Sequence, residues 1–283
     1  MSMLSKEEEN TILLVSSKKD IASLNISKQI VKCYSLGEVG SFQENPVYET
    51  SIDNRKVKLV TLNEESVNAQ NLASFFSDLE LVVFVSKHKS ESGTPTLSVH
   101  TPGNLDKAEL GGLPRKVSIS PANAMRDALL MMASLDDEMQ LGYAVSYECT
   151  HHGPSLDVPS MFVELGSSAA QWNDLIAAEA VARAAVEAIS KFDRHHAKPV
   201  LGIGGPHYNT KFTRMALEDK MAFGHIIPKY AIENIDAEMI RQCVEKTLEK
   251  VDLAILDWKG IRGENKSSII DMLSEIGLPF EKV

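Results

Sequence analysis

Two stretches of this chain leave little choice of architecture. LVVFVS (81–86) and VDLAILDW (251–258) are apolar nearly throughout. A strand wet on one face alternates apolar and polar residues, whereas a continuous apolar run needs cover on both faces. Further strand signals fall at 11–15, 57–62, 143–149, 161–165 and 200–204, and the gaps between them carry helical spacing. Ser120-Pro121 offers a capping serine and a proline at the first helical position, ahead of NAMRDALLMMASL. The longest helix is expected over 167–192, with Trp172, Ile176, Ala180, Ala184 and Ile189 on one face. Asp236 is placed to cap AEMIRQCVEKTLEK, and a last helix over 267–276 stops at Gly277 and Pro279.

Strands interleaved with helices predict an α/β fold with a mainly parallel or mixed central sheet flanked by helices. The segment 90–113 breaks the alternation with Gly93, Pro95, Pro102, Gly103, Gly111 and Gly112. It reads either as a long functional loop or as a seam between lobes. The 283 residues are thus expected to form a single catalytic unit, or two lobes divided near residue 117 (1–117 and 118–283).

The net charge of −10 argues against extended, non-specific nucleic-acid binding. It leaves room for a local basic patch at Lys87-His88-Lys89, Arg115-Lys116 or 191–198, although each also reads as a solvated turn. No apolar run approaches the roughly 20 residues that span a bilayer. The acidic start MSMLSKEEEN lacks the apolar core of a secretion signal. Three scattered cysteines do not suggest a disulfide framework. A cytoplasmic protein without membrane contact is the expectation.

Chemistry concentrates in two histidine clusters, Glu148-Cys149-Thr150-His151-His152-Gly153-Pro154 and Gly204-Gly205-Pro206-His207-Tyr208. Both are expected at strand ends, converging on one rim of one sheet, where ligands of open α/β sheets collect. On a regular strand His151 and His152 point to opposite faces, so a bend is needed before both can serve one site. Glu148 is open to three roles: metal ligand, hydrogen-bond partner of a ligand, or general base. Taken alone, the cluster also reads as a surface turn with incidental histidines. The glycines before His207, with Lys211 beyond, suit an anchor for a phosphate or carboxyl oxygen. Gly224-His225 to Pro228-Lys229-Tyr230 again sets His and Lys beside proline. Histidine-rich, cysteine-poor sites with carboxylates fit hydrolytic zinc, one ion or two. Cys149, near the end of an apolar strand, reads as inert packing rather than as a nucleophile. His88 and His100 flank SESGTPT, a polar stretch suited to folding over a substrate, and His195 and His196 read as helix-terminus and surface residues.

VSKHKSESGTPTLSVHTPGN, ECTHHGP, VELGSS, GIGGPHYNTKFT, GHIIPKYA and LDWKG, separate motifs in the right order along the chain, resemble the archaeal and plant type of D-aminoacyl-tRNA deacylase. The match runs from about Ser86 to Gly260; Thr210 stands where a proline is expected. The resemblance implies hydrolysis of the ester between a D-amino acid and the 3′-terminal adenosine of tRNA. It also implies zinc dependence, a monomeric cytosolic enzyme, and a fold akin to phosphorylases and hydrolases. Contact with tRNA is expected at the acceptor end only.

The residues themselves place zinc on His151, His152 and His207, with Glu148 as ligand or base. His225 and Lys229 are assigned to stabilise developing charge or hold the terminal phosphate, and Lys211 to do likewise. Rigid Gly153-Pro154 and Gly205-Pro206 turns, through cis peptides if present, are expected to wall out the L-isomer, with His88 and His100 also binding substrate. Two rival readings use the same residues: a zinc amidohydrolase or peptidase acting on small substrates, and a non-catalytic protein that binds RNA ends.

Overall fold

The computed structural model describes residues 10–194 and 197–283. His195 and His196, like the acidic start, fall outside the described residues. In chain order the first half holds β1 (Thr11–Ser17), α1 (Ile21–Cys33), β2 (Gly37–Phe42), β3 (Asn45–Ile52), β4 (Arg55–Leu62), β5 (Leu79–Lys89), β6 (Thr96–His100), β7 (Gly103–Asn104) and β8 (Lys116–Val117). Next come α2 (Ala122–Met139), β9 (Ala144–Tyr147), β10 (Ser160–Ser167), α3 (Ala169–Trp172) and α4 (Leu175–Ser190). The remainder is β11 (Lys198–Ile203), α5 (Thr210–Glu218), β12 (Met221–Ile227), α6 (Ala237–Glu245), β13 (Ala254–Leu256), α7 (Lys266–Glu275) and β14 (Phe280–Lys282).

The strands form a mixed eight-stranded sheet in the order β2-β3-β4-β1-β5-β10-β6-β9, and a second, four-stranded sheet β12-β11-β13-β14. In the large sheet β4, β1, β5 and β10 run parallel, with an antiparallel β2-β3-β4 meander on one side. The second sheet is parallel throughout. The fold is therefore α/β with mixed and parallel sheets, as the apolar runs require. Leu81–Val85 lies between β1 and β10 with no exposed side chain. Helices α1, α2 and α4 pack together over one face of the large sheet, and α2 also reaches β12 of the second.

Local chemistry explains where the elements depart from the sequence pattern. The long helix expected over 167–192 is broken, because Asp174 accepts from the amides of Ile176 and Ala177 and starts α4 afresh. Ser168 and Gln171 close a capping box on the short α3. Ser120 does not cap α2: its hydroxyl accepts from Thr101, and the Glu249 carboxylate instead takes the amides of Ala122 and Asn123. Helix α6 ends at Glu245 rather than running to 250, since residues 246–248 turn to pair with Ser120.

Asp127, on α2, is 4% exposed, and its Oδ2 has no hydrogen-bond partner. Burial raises its pKa from 3.8 to about 6, against smaller opposing effects of Lys191 and Arg126. The folded state thus holds this proton more tightly than the unfolded chain. Its favourable contribution is complete below about pH 4 and is lost as pH rises through about 6. Asp127→Asn is expected to raise unfolding stability at pH 7.5 by roughly 2 kcal/mol, with the gain fading toward zero at pH 4. Urea denaturation at the two pH values measures this.

Candidate active site

After Tyr147 the chain leaves β9 and is tied to the second sheet. The Cys149 amide donates to the His207 carbonyl (3.0 Å) and the Thr150 amide to Ile226 (2.9 Å), while Asn209 donates to Tyr147 (3.1 Å). Glu148 and Tyr208 form an antiparallel bridge. The two histidine clusters therefore come from strand ends of two sheets, not from one rim of one sheet. Gly204 and Gly205, at φ +103° and +76°, turn the chain after β11. A Cβ on Gly205 would lie 2.4 Å from the side-chain Nδ2 of Asn209. Asn209 in turn caps α5 through Phe212 and donates to the Gly204 carbonyl. The turn thus delivers His207 and Tyr208 to the seam.

The bend that brings both neighbouring histidines to one place lies at His152 itself, which adopts φ +42°. The ring centroids of His151 and His152 are 4.2 Å apart, and His151 lies 4.3 Å from His100 and 4.4 Å from His207. His151 Nδ1 donates to the Cys149 carbonyl and His152 Nδ1 to the Gly153 carbonyl, each at 2.8 Å. A carbonyl can only accept, so both rings carry their proton on Nδ1 and present Nε2 as a lone pair.

Glu148, 2% exposed, anchors the cluster. Its Oε2 lies 2.8 Å from His207 Nε2 and 3.6 Å from His151 Nε2, and its Oε1 lies 3.1 Å from His88 Nδ1. Glu164 on β10 accepts from Ser86 (2.5 Å) and stands 3.6 Å from His88 Nδ1 and 3.7 Å from His100 Nε2. Charge sorts the histidines into two kinds. Burial would lower His88, but hydrogen bonds to Glu148 and Glu164 raise it to about 10. Burial likewise opposes the rise of His207 to about 10, which comes from Cys149 and Glu148. Burial depresses His151 well below the usual range, with neighbouring His152 and His100 adding to it, and takes His152 to about 4. Burial would raise the two carboxylates, yet His207 and His88 hold Glu148 far below its usual value. His100 and His88 bring Glu164 to about 2. Near neutral pH the site pairs two carboxylates with two imidazolium ions, beside two neutral imidazoles.

Three groups of donor atoms are close enough to hold a cation: His100 with His151 and His152, Cys149 with His151 and His207, and His88 with Glu148 and Glu164. In each, the donors lie within 4.8 Å of one another. Both ring nitrogens of His100, 1% exposed, have no hydrogen-bond partner, which makes the first group the best fit.

Two cavities flank the His151–His152 pair. The larger, about 650 Å³, is lined by His88, Glu148, Glu164, His207 and Tyr208; the smaller, about 430 Å³, by Asn104, Asp106, Glu109 and Tyr230. Several residues expected at the site stand elsewhere. His225 is wholly buried, accepting from Thr150 at Nδ1 (3.1 Å) and donating to the Lys246 carbonyl from Nε2 (3.2 Å). Burial holds it near 4, so it is a neutral structural link. Lys211 pairs with Asp257 (2.5 Å), and the exposed Lys229 contributes its backbone amide to Gly205. Gly153, Pro154, Gly205 and Pro206 line neither cavity. The Gly153–Pro154 bond is cis, and Gly153 packs so tightly behind the histidines that a Cβ would sit 2.1 Å from the Gly112 nitrogen.

Sequence reasoning missed four participants. Cys149 is not inert packing: its Sγ lies 3.2 Å from His207 Nδ1 and 3.1 Å from the Tyr230 hydroxyl. The Tyr208 hydroxyl meets His88 Nε2 at 3.0 Å. Glu164 had a legible signal, a lone carboxylate inside the apolar run MFVEL. Tyr208 and Tyr230 had none beyond sitting in the histidine segments.

Fold and site together define an α/β enzyme with a buried carboxylate–histidine centre. The sequence model for D-aminoacyl-tRNA deacylase matches residues 75–281. A D-aminoacyl-tRNA deacylase of Thermococcus kodakarensis is 37% identical over 275 residues, 95% of this chain and 98% of that protein. One of Pyrococcus furiosus is 38% identical over 277 residues, covering 95% and 99%. The chain belongs to the D-aminoacyl-tRNA deacylase family. Among solved structures, a conserved protein of unknown function superposes with a TM-score of 0.84 at 28% identity, over 96% of this chain and 95% of that one.

Gly166 pairs with His88 across β10 and β5, and a Cβ there would lie 2.6 Å from both Cβ and Cδ2 of His88. Gly166→Ala is expected to push the ring away from Glu148 and to cost about 1–3 kcal/mol through overpacking. In metal-free protein, NMR titration of the His88 ring should fall from about 10 toward its ordinary value of 6.5. An unchanged titration would mean that the ring does not depend on this gap.

Proposed function

We propose that the chain hydrolyses the ester of D-aminoacyl-tRNA, freeing the D-amino acid and the tRNA, in the larger cavity beside His151. It does so as a monomeric cytoplasmic enzyme that receives the acceptor end. Family membership supplies the reaction; the observation that supports the site is the coexistence of imidazolium and neutral imidazole around one buried carboxylate.

An aminoacyl ester requires an activated water, a polarised carbonyl and a proton for the departing ribose oxygen. His207, protonated at neutral pH, is the proton donor to the ribose oxygen. Glu148 orients it and stays ionised throughout. A carboxylate held so far below its usual range is a weak base, so of the roles open to Glu148 we assign orientation rather than proton abstraction. His88 forms an ion pair with Glu148 through Nδ1 and donates from Nε2 to Tyr208. The Tyr208 hydroxyl is thereby left to turn its own proton toward the ester carbonyl oxygen. Cys149 and Tyr230 hold the His207 ring at Nδ1, so the proton passed to the ribose oxygen is the one on Nε2, which leaves its hydrogen bond to Glu148 as the imidazole becomes neutral.

Zinc fits this donor set. His100, His151 and His152 would hold it, their lone pairs already oriented by the backbone carbonyls or left unpartnered. When bound, zinc lowers the pKa of a coordinated water to about 7 and so supplies hydroxide at neutral pH. His207 then keeps its proton-donating role, and the Gly153-Pro154 turn serves to hold His152 in place from behind. The whole chain acts as one catalytic unit, since neither sheet alone supplies the site.

Matched D- and L-aminoacyl-tRNA should be hydrolysed at rates differing by at least tenfold in favour of D, and a chelator should abolish turnover until zinc is restored. Equal rates on the two isomers overturn the chiral function, and indifference to chelation overturns the metal. His151→Ala should lose bound zinc and activity together. His207→Asn should keep zinc while kcat falls by about 10²–10⁴-fold, as for loss of a general acid. Metal analysis beside single-turnover kinetics separates the two.

A further inference from the structure

A further cavity of about 370 Å³ opens between α1 and the β3–β4 strands, outside the site described above. Its floor is apolar, with Val31, Leu59 and the half-buried ring of Tyr48, and its rim carries Lys18, Lys28 and Lys32. Among the described residues no aspartate or glutamate lines it, although the chain holds 39 acidic against 29 basic residues. Helix α1, IASLNISKQIVKC, contains no acidic residue at all. All three rim lysines and Lys19 are exposed, and their ammonium groups make no ion pair with any described residue.

The groove meets the chain two residues from the catalytic cavity, Lys18 lining the one and Asp20 the other. Lys18 and Lys19 leave the carboxyl end of β1 and run into Asp20, which lines that cavity and accepts from the Lys87 amide at 2.6 Å. Lys87 and Lys89 stand at the same mouth, Lys87 paired with Glu65 at 3.3 Å. From Lys18 to Lys32 the track extends about 20 Å, at about 1.5 Å per helical residue. That length spans several phosphates of a nucleic-acid backbone. An anionic polymer entering the cavity by its end would be met on this side by unpaired ammonium groups and by a groove whose described lining holds no carboxylate.

We propose that this groove is the landing surface for duplex RNA: the phosphate backbone of the substrate's acceptor stem lies along Lys18, Lys19, Lys28 and Lys32 while its 3′ end enters the catalytic cavity. The inference rests on the deacylase reading above and adds to it where the RNA lies. Lysines acting as point charges on phosphates supply affinity without sequence preference, and the affinity falls steeply with salt.

The test compares the full-length wild type with the variant K18E/K28E/K32E, using K250E as a charge-reversal control outside the groove. Binding of a deacylated acceptor-stem minihelix is followed by fluorescence anisotropy at several salt concentrations. The triple variant should bind at least tenfold more weakly, with a salt slope smaller by about two to three, while K250E matches wild type. Hydrolysis of D-aminoacyl-adenosine, which lacks the stem, should be the same in all three proteins. Minihelix affinity and salt slope unchanged in the triple variant would overturn the proposal. So would a loss seen only for phosphatidylserine vesicles, which would give the groove to a lipid surface. Wild-type binding of the minihelix without hydrolysis of either D-ester would instead refute the deacylase reading and leave the RNA groove standing.

Discussion

Glu148 is an anion with 2% of its surface exposed. A buried carboxylate is tolerated only when paired and hydrogen-bonded, the unpaired charge costing several kcal/mol. Its partners come from three places in the chain: His88 from β5, His151 from the turn after β9, and His207 from the turn after β11. Because β11 belongs to the second sheet, compensation of this one charge requires the two sheets to meet. Geometry and electrostatics are coupled here. The same contacts that stabilise the carboxylate raise His88 and His207, while burial and their histidine neighbours leave His151 and His152 neutral.

This arrangement accounts for the division of the polar groups. Carboxylates and imidazolium ions face each other, and the neutral rings of His151 and His152 gather around His100. The histidine pair stands between two cavities, and its backbone is wedged by Gly111-Gly112 against Gly153, where no side chain fits. Rigid packing behind reactive side chains is what positions a catalytic group within tenths of an ångström. The Gly-Pro turns therefore contribute by support rather than by touching the substrate.

Much of the fold was legible because burial leaves a mark on residue type. Runs such as Leu81–Val85, covered on both faces, cannot be other than central strands, and the paired Gly-Pro histidine segments announced the site. Elements whose identity depends on partners were not legible. The exposed β2 has no apolar pattern to detect. Glu249 captures the amides that Ser120 was expected to cap, from a distance of more than a hundred residues. His225 looked catalytic beside Lys229, yet its ring is spent on Thr150 and the Lys246 carbonyl. Cys149 looked inert, yet it touches His207 and Tyr230.

By itself the sequence determined the layered α/β architecture, the family, and the segments that carry the chemistry, because hydrophobic periodicity and motif order are written along the chain. Only the tertiary structure decided which nitrogen faces which oxygen. A histidine's charge is set by what surrounds it in space, and the neighbours of His88, His151 and His207 lie up to 120 positions away, as Tyr208 does from His88. Proton donor, neutral ligand and structural link are thus drawn from one residue type, and burial and hydrogen bonding alone distinguish them.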